Sequence, residues 1–126
     1  MPIPADLLGI DAAQEADIDL YLGATFYDEG VISVDGAVSA LTGCTVAGAI
    51  KATDTGAVLV AFTGTVVDAP TAKVRFTLTP AQTAALAFSG ADGDQLGVYD
   101  YMLEDGTEKI IFRRGKVRGR YKRNSD

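Results

Sequence analysis

The sequence predicts an all-β domain of about seven or eight short strands, arranged as a sandwich or a small barrel. Apolar and polar residues alternate over most of the chain after residue 16, which is the period of a half-buried strand. Turn-forming combinations of Asp, Thr, Ser and Gly recur at intervals of roughly 8–12 residues. A hydrophobic content of 48% in 126 residues is sufficient for one core. We therefore expect one domain over residues 17–126 and an extended N-terminal arm over residues 1–16, where Pro2 and Pro4 disfavour regular structure.

The first half of the chain contains strands of different kinds. Residues 18–22 alternate, with the aliphatic side chains on one face, and Asp28-Glu29-Gly30 is expected to turn the chain before a short strand over residues 31–34. Cys44 begins a second alternating stretch. As the only cysteine it has no partner for an intrachain disulfide, and we expect a buried core thiol. Residues 57–62 are apolar on both faces, which predicts a central strand.

The second half contains the clearest alternation and one helix signal. Val74, Phe76 and Leu78 are expected on one face of a strand over residues 73–79. Thr79-Pro80-Ala81-Gln82 has the arrangement of a capping box with Pro at the first helical position, which predicts a short helix over residues 80–87.

The last strands are predicted around a hairpin. Residues 96–103 form a strand with Tyr99 and Tyr101 on one face, and residues 104–107 form the turn. Residues 108–113 form the return strand. After a kink at Gly115, residues 116–123 are expected to extend as a final strand.

The order of these segments resembles small immunoglobulin-like domains of tailed-bacteriophage virions, which occur in tail, baseplate and fibre-associated proteins. The resemblance rests on the segments LT (78–79), PAQTAAL (80–86), VYDY (98–101), EDG (104–106) and IIFRRGKV (110–117), with the opening DIDLYLGATF (17–26). It covers about residues 17–118 and implies an immunoglobulin-like β-sandwich in a structural protein. Its motifs are structural rather than catalytic. The acidic arm and the basic C-terminus depart from the pattern.

Charge is strongly polarised along the chain. Residues 1–112 hold 16 acidic and four basic residues, whereas residues 113–126 hold seven basic residues and one acidic residue. The seven cations are the candidate protein-interaction residues: Arg113, Arg114, Lys116, Arg118, Arg120, Lys122 and Arg123. Three interpretations remain open for this basic segment, namely a solvated tail, docking on an acidic protein surface and nucleic-acid contact.

Docking is the favoured interpretation of the basic segment. Residues 116–123 would add to another protein as an edge strand, and deleting residues 116–126 is expected to leave the sandwich folded. The acidic first fifty residues are also expected to pair with the basic end of an adjacent subunit. Such an association would weaken as salt rises.

No residue pattern predicts catalysis, a metal site or a cofactor. The chain has no histidine, which removes the commonest general base and the commonest zinc ligand. Asp92-Gly93-Asp94 is expected to form a solvated turn, because the further acids of a calcium loop are missing. Asp17 and Asp19, like Glu104 and Asp105, are expected to be exposed. We therefore expect a protein that is not an enzyme.

The five tyrosines leave one other class of function open. They are expected to pack structurally, with Tyr99 or Tyr101 pinning a corner of the sandwich, although stacking against sugars or bases is the alternative.

The sequence thus predicts a structural component of a tailed-bacteriophage virion, at the tail, baseplate or fibre attachment. The alternatives are a capsid decoration or head–tail junction protein and, from another class, a carbohydrate-binding adhesion module. Expected partners are other virion proteins and copies of the same chain. Nucleic acid and membrane insertion are not expected. The N-terminus lacks the pattern of a secretory signal, and we expect synthesis in the host cytoplasm.

Overall fold

The computed structural model describes residues 14–32, 40–53, 55–86, 88, 90–107 and 109–121. These residues contain eight strands and one short helix, which confirms the predicted all-β fold. Residues 1–13 of the predicted arm and residues 33–34 of a predicted strand lie outside them. The elements are β1 (Gln14–Glu15), β2 (Ile18–Leu22), β3 (Phe26–Val31), β4 (Thr45–Lys51), β5 (Val58–Asp68), β6 (Lys73–Leu78), α1 (Pro80–Ala84), β7 (Gln95–Glu104) and β8 (Lys109–Tyr121).

The strands form an immunoglobulin-like sandwich. In the first sheet β4, β7 and β8 are antiparallel neighbours, and β1 and β2 lie parallel to β8 along its other side. In the second sheet the order is β5, β6, β3, again antiparallel. These orders are those of strands C, F and G and of strands D, E and B in immunoglobulin domains.

Strand β5 belongs to both sheets. Its first half pairs with β4 as far as Phe62, and from Thr63 onward it pairs with β6. Gly64 lies at the crossing, where a Cβ atom would stand 2.4 Å from the carbonyl oxygen of Val46. Only glycine allows the two backbones to approach this closely.

The core lies between the sheets and follows the predicted alternation. Val74, Phe76 and Leu78 of β6 are buried, as are Tyr99 and Tyr101 of β7. Cys44 is also buried, as predicted, and burial raises the pKa of its thiol. In β4 the buried residues are Val46, Gly48 and Ile50, which lie on one face of the alternating stretch that begins at Cys44.

The helix signal is confirmed, although the helix is shorter than predicted. The backbone N–H of Gln82 donates to Thr79 Oγ1 at 3.1 Å, and the N–H of Thr79 donates to Gln82 Oε1 at 2.8 Å. The helix ends at Ala84 instead of residue 87, because the N–H of Leu86 turns to the carbonyl of Thr83, a tighter i−3 bond.

The prediction of a turn at Asp28-Glu29-Gly30 is wrong. All three residues lie inside β3, which runs antiparallel to β6 from Phe26 to Val31. The two acids are accommodated in this strand because each has a cationic partner. Asp28 pairs with Arg113, and Glu29 pairs with Arg75.

The prediction of a central strand at residues 57–62 is also wrong. This half of β5 pairs with β4 on one side, and no other described strand pairs with it. Val58 and Leu59 are 55% and 46% exposed, respectively. The apolar run lies at a sheet edge, because its backbone pairs with β4 alone among the described strands. Its side chains at Val58 and Leu59 are exposed to solvent.

Replacing Phe76 tests the register of β6. The ring is 1% exposed and stacks on Tyr101 with centroids 3.7 Å apart. Phe76→Ala should lower the free energy of unfolding by about 3–5 kcal/mol, because the cavity fills only partly. Thr65→Ala, an exposed control on the neighbouring β5, should change it by no more than about 0.5 kcal/mol. Denaturant titration measures both, and equal effects would contradict the register.

Candidate interaction surfaces

Most of the predicted interaction residues are paired within the chain. On β8 the shortest nitrogen–oxygen distances are Arg113 to Asp28 (3.3 Å), Arg114 to Glu15 (3.7 Å), Arg118 to Asp17 (3.0 Å), and Arg120 to Asp19 (3.4 Å) and Asp92 (3.3 Å). Lys116 is exposed, and its backbone N–H donates to Asp17 at 3.0 Å. Lys122 and Arg123 lie outside the described residues.

The prediction that residues 116–123 act as a free edge strand is wrong over the residues described. Strand β8 runs through Gly115 to Tyr121 without the expected interruption, and it is paired on both sides. On one side lies β7, and on the other β1 and β2 lie parallel to it. From Arg113 to Tyr121 the strand therefore has partners on both sides, whereas its first residues, 109–112, have β7 as their one described partner strand. Whether its cations also contact a partner stays a prediction.

The acids that were expected to meet a neighbouring subunit supply these pairs. Glu15, Asp17 and Asp19 flank β8 in register with its arginines. Pairing within one chain is favoured because covalent linkage gives the two segments a high effective concentration. Exposed ion pairs are individually weak, so backbone pairing and the burial of Val117, which is fully buried, hold these strands together.

Truncation tests whether the end of β8 belongs to the core. A chain ending at Gly115 loses Val117 and the partner of β2, so we expect loss of cooperative thermal unfolding. A chain ending at Tyr121 keeps every described strand and should unfold like the full chain. Circular dichroism on heating measures both. Normal unfolding of the shorter chain would restore the expectation that residues 116–126 are dispensable for folding.

A second charged cluster lies on the outer face of β3 and β6. Glu29 lies between Lys73 Nζ at 3.0 Å and the guanidinium of Arg75 at 3.0 Å, and it accepts a hydrogen bond from the Tyr27 hydroxyl. The Arg75 guanidinium also lies over the Tyr27 ring, 5.2 Å from its centroid. Hydrogen bonds from Tyr27, Lys73 and Arg75 lower the pKa of Glu29 to about 2. The cluster is internally satisfied.

Removing the Tyr27 hydroxyl tests this cluster. The bonds of Glu29 stabilise the fold fully above its ordinary pKa of 4.5, and this contribution is lost as pH falls through about 2. In Tyr27→Phe the Glu29 carboxyl should titrate closer to 4.5, because the largest cause of the low pKa is removed. Carbon-13 NMR of the carboxyl measures the midpoint. Tyr21→Phe, on another strand, should leave it at about 2, and a wild-type midpoint near 4.5 would contradict the geometry.

The other acidic candidates are structural. Asp92 and Gly93 form a turn, as predicted; the carboxylate of Asp92 accepts from the N–H of Tyr121 at 2.9 Å, and that of Asp94 accepts from the N–H of Ala91 at 2.9 Å. In the described part of the chain, no three Cys, Asp or Glu side chains are grouped as metal ligands.

Tyr99 and Tyr101 pin the sandwich through their hydroxyl groups, as predicted. Tyr99 donates to the carbonyl of Ala16, between β1 and β2, and Tyr101 donates to Asp28 Oδ2 on β3 at 2.8 Å. Burial raises the pKa of both hydroxyl groups, so they remain protonated donors. Neither ring is available for stacking against a ligand.

The surface that sequence reasoning missed is the sheet edge at β5, defined here as Val58–Phe62. Two other sheet edges among the described residues carry acids: Glu15, Asp17 and Asp19 along β1 and β2, and Asp28 and Glu29 on β3. By contrast, no charged side chain occurs from Thr55 to Val67. The sequence contains no signal of an edge here, since exposed edge strands usually carry charges or proline, and the uncharged run instead predicted a central strand.

The described residues include no helix that is long and apolar enough to span a membrane.

No protein-family model matches the chain. A search of curated proteins also gives no match. Among solved structures, the chain is similar to the ZIG-8–RIG-5 IG1–IG1 heterodimer, with a TM-score of 0.38 and 11% identity over 86% of this chain and 83% of that one. It is also similar to the extracellular domain of the voltage-gated sodium channel beta4 subunit, described as a parallel homodimer, with a TM-score of 0.46 and 11% identity over 90% and 98% of the two chains. At these values the likeness carries no argument about function, and the fold assignment depends on the strand pairings.

Proposed function

We propose that this chain is a non-enzymatic structural protein that acts by protein–protein assembly, as a component of a tailed-bacteriophage virion. The observation that carries the assembly role is the β5 edge. It exposes Val58 and Leu59 and leaves one side of the backbone without a described partner strand. A sandwich with an uncharged, partly unpaired edge is suited to adding a strand or a sheet from another protein.

The distribution of polar groups supports a binding role over a catalytic one. Glu29 is held by Lys73 and Arg75, and Asp28 is held by Arg113 and Tyr101. General acid–base catalysis needs titratable groups that converge on a cleft and can exchange protons with a substrate. These carboxylates instead bind neighbouring strands.

The virion location is supported by the sequence resemblance. The segments that carry it lie along β2 and the start of β3 and along the elements from β6 to β8. Tail, baseplate or fibre attachment is the preferred position, and capsid decoration or a head–tail junction is the alternative. A carbohydrate-binding module is less well supported, since Tyr99 and Tyr101 are buried and Tyr27 belongs to an ion-pair cluster.

Incorporation into particles tests this function. Host cells that produce the phage particles would express either the wild-type chain or Leu59→Glu, which places a charge on the β5 edge. Wild type should remain with particles through density-gradient purification, detected by antibody, whereas Leu59→Glu should incorporate at least about tenfold less. Val31→Glu is the matched control, since Val31 is similarly exposed on the acid-bearing β3 edge.

The outcomes separate the candidate functions. Absence of the wild-type chain from purified particles would overturn the virion assignment. Equal incorporation of both variants would overturn the role of the β5 edge. Specific retention on a glycan array, without association with particles, would favour the carbohydrate-binding alternative.

A further inference from the structure

We infer that the β5 edge pairs with the same edge of a second copy of this chain, antiparallel and about a two-fold axis. This inference rests on the proposed assembly function and names one partner for it. The resulting contact would extend the first sheet from one copy into the other. Such a contact is isologous, because each copy contributes the same residues.

The backbone of β5 provides the first argument. Val58–Phe62 is bonded to β4, with Phe62 opposite Gly48, Val60 opposite Ile50 and Val58 opposite Lys51, so the register shifts by one residue at Leu59. The opposite side of this segment has no pairing strand among the described residues. An extended segment with one unpaired side is a template for main-chain hydrogen bonds with another strand.

The side chains of Val58–Phe62 are compatible with pairing against the same segment of a second copy. With the two-fold axis near Val60, the exposed Leu59 of one copy lies beside the exposed Ala61 of the other. These are a large and a small apolar side chain, and cross-strand apolar pairs stabilise antiparallel sheets. Lys51 on β4, which lies opposite Val58, is paired with Asp100 at 3.6 Å.

Charge favours this edge over the others for contact between identical chains. The chain carries a net charge of −6, so two copies repel each other on approach. Joining two copies at β3 would bring the ion pairs of Asp28 and Glu29 of both chains together, and joining them at β1 and β2 would do the same for the ion pairs of Glu15, Asp17 and Asp19. Such contacts remove charged groups from water, which is costly. The β5 edge avoids this cost, since it is uncharged.

Charge also favours a second copy over a different protein. A partner that binds through its charge would gain nothing from an uncharged strand. An uncharged strand limits repulsion at the contact when the approaching protein carries the same net charge as this chain. Association should therefore persist or strengthen as salt rises, in contrast to the weakening expected for ion pairs between subunits.

Sedimentation velocity of purified full-length protein, over a range of concentrations, tests the inference with a charge-swap pair. We expect a monomer–dimer equilibrium for wild type. Leu59→Lys and Leu59→Glu, measured separately, should each weaken dimerisation about tenfold or more, because like charges then lie at diagonal positions across the axis, within reach of each other on long side chains. An equimolar mixture of the two variants should regain dimers, since the diagonal positions then carry opposite charges.

Controls keep the result interpretable. Val31→Glu, at the β3 edge, should dimerise like wild type. Circular dichroism checks folding, and Ala61→Lys with Ala61→Glu forms a second pair if a Leu59 variant does not fold. Amide hydrogen exchange at Val58–Phe62 should slow as concentration rises.

Two results would overturn the inference. One is a wild-type dimer that is unchanged by either Leu59 substitution. The other is a wild-type chain that is monomeric at its highest soluble concentration. If that monomeric chain still enters particles and Leu59→Glu prevents this, the β5 edge binds another protein, so the proposed assembly function survives while the second-copy inference fails.

Discussion

The packing of Tyr101 between the two sheets is the constraint on which the rest of the fold depends. Its ring is 1% exposed, stacks on Phe76 of β6 and meets Phe62 of β5 edge-on. Gly48, its cross-strand neighbour on β4, makes room for it, since a Cβ there would lie 2.9 Å from the ring. The ring therefore contacts residues of both sheets at once.

The Tyr101 hydroxyl makes this packing specific. A buried hydroxyl without a partner is costly, so it requires an acceptor at one position of β3. Asp28 provides that acceptor and also binds Arg113 of β8. One carboxylate thereby links β3, β7 and β8 and fixes how the sheets face each other. This explains why Asp28, a residue type that is common in turns, lies within a strand.

The sequence predicted those features that depend on local patterns. Alternation placed Phe76 and Tyr101 in the core, and the Thr79–Gln82 capping box located the helix start. It could not identify which strands pair with each other, because apolar and polar residues alternate with a period of two in any half-buried strand, whichever strand is its neighbour. The complementary charges of the N- and C-terminal segments were recognised, but composition cannot distinguish a contact within one chain from a contact between chains.

The placement of charge connects the fold to its proposed assembly. The acids of β1 and β2 are placed beside the arginines of β8, so the most polarised part of the sequence is largely neutralised at one sheet edge. The β3 edge retains two acids in ion pairs with cations of β6 and β8. The net charge of −6 still opposes contact between copies elsewhere. The uncharged β5 edge is then a described sheet edge at which backbone pairing and apolar contact act without opposition, and this follows from where the charges lie rather than from the fold alone.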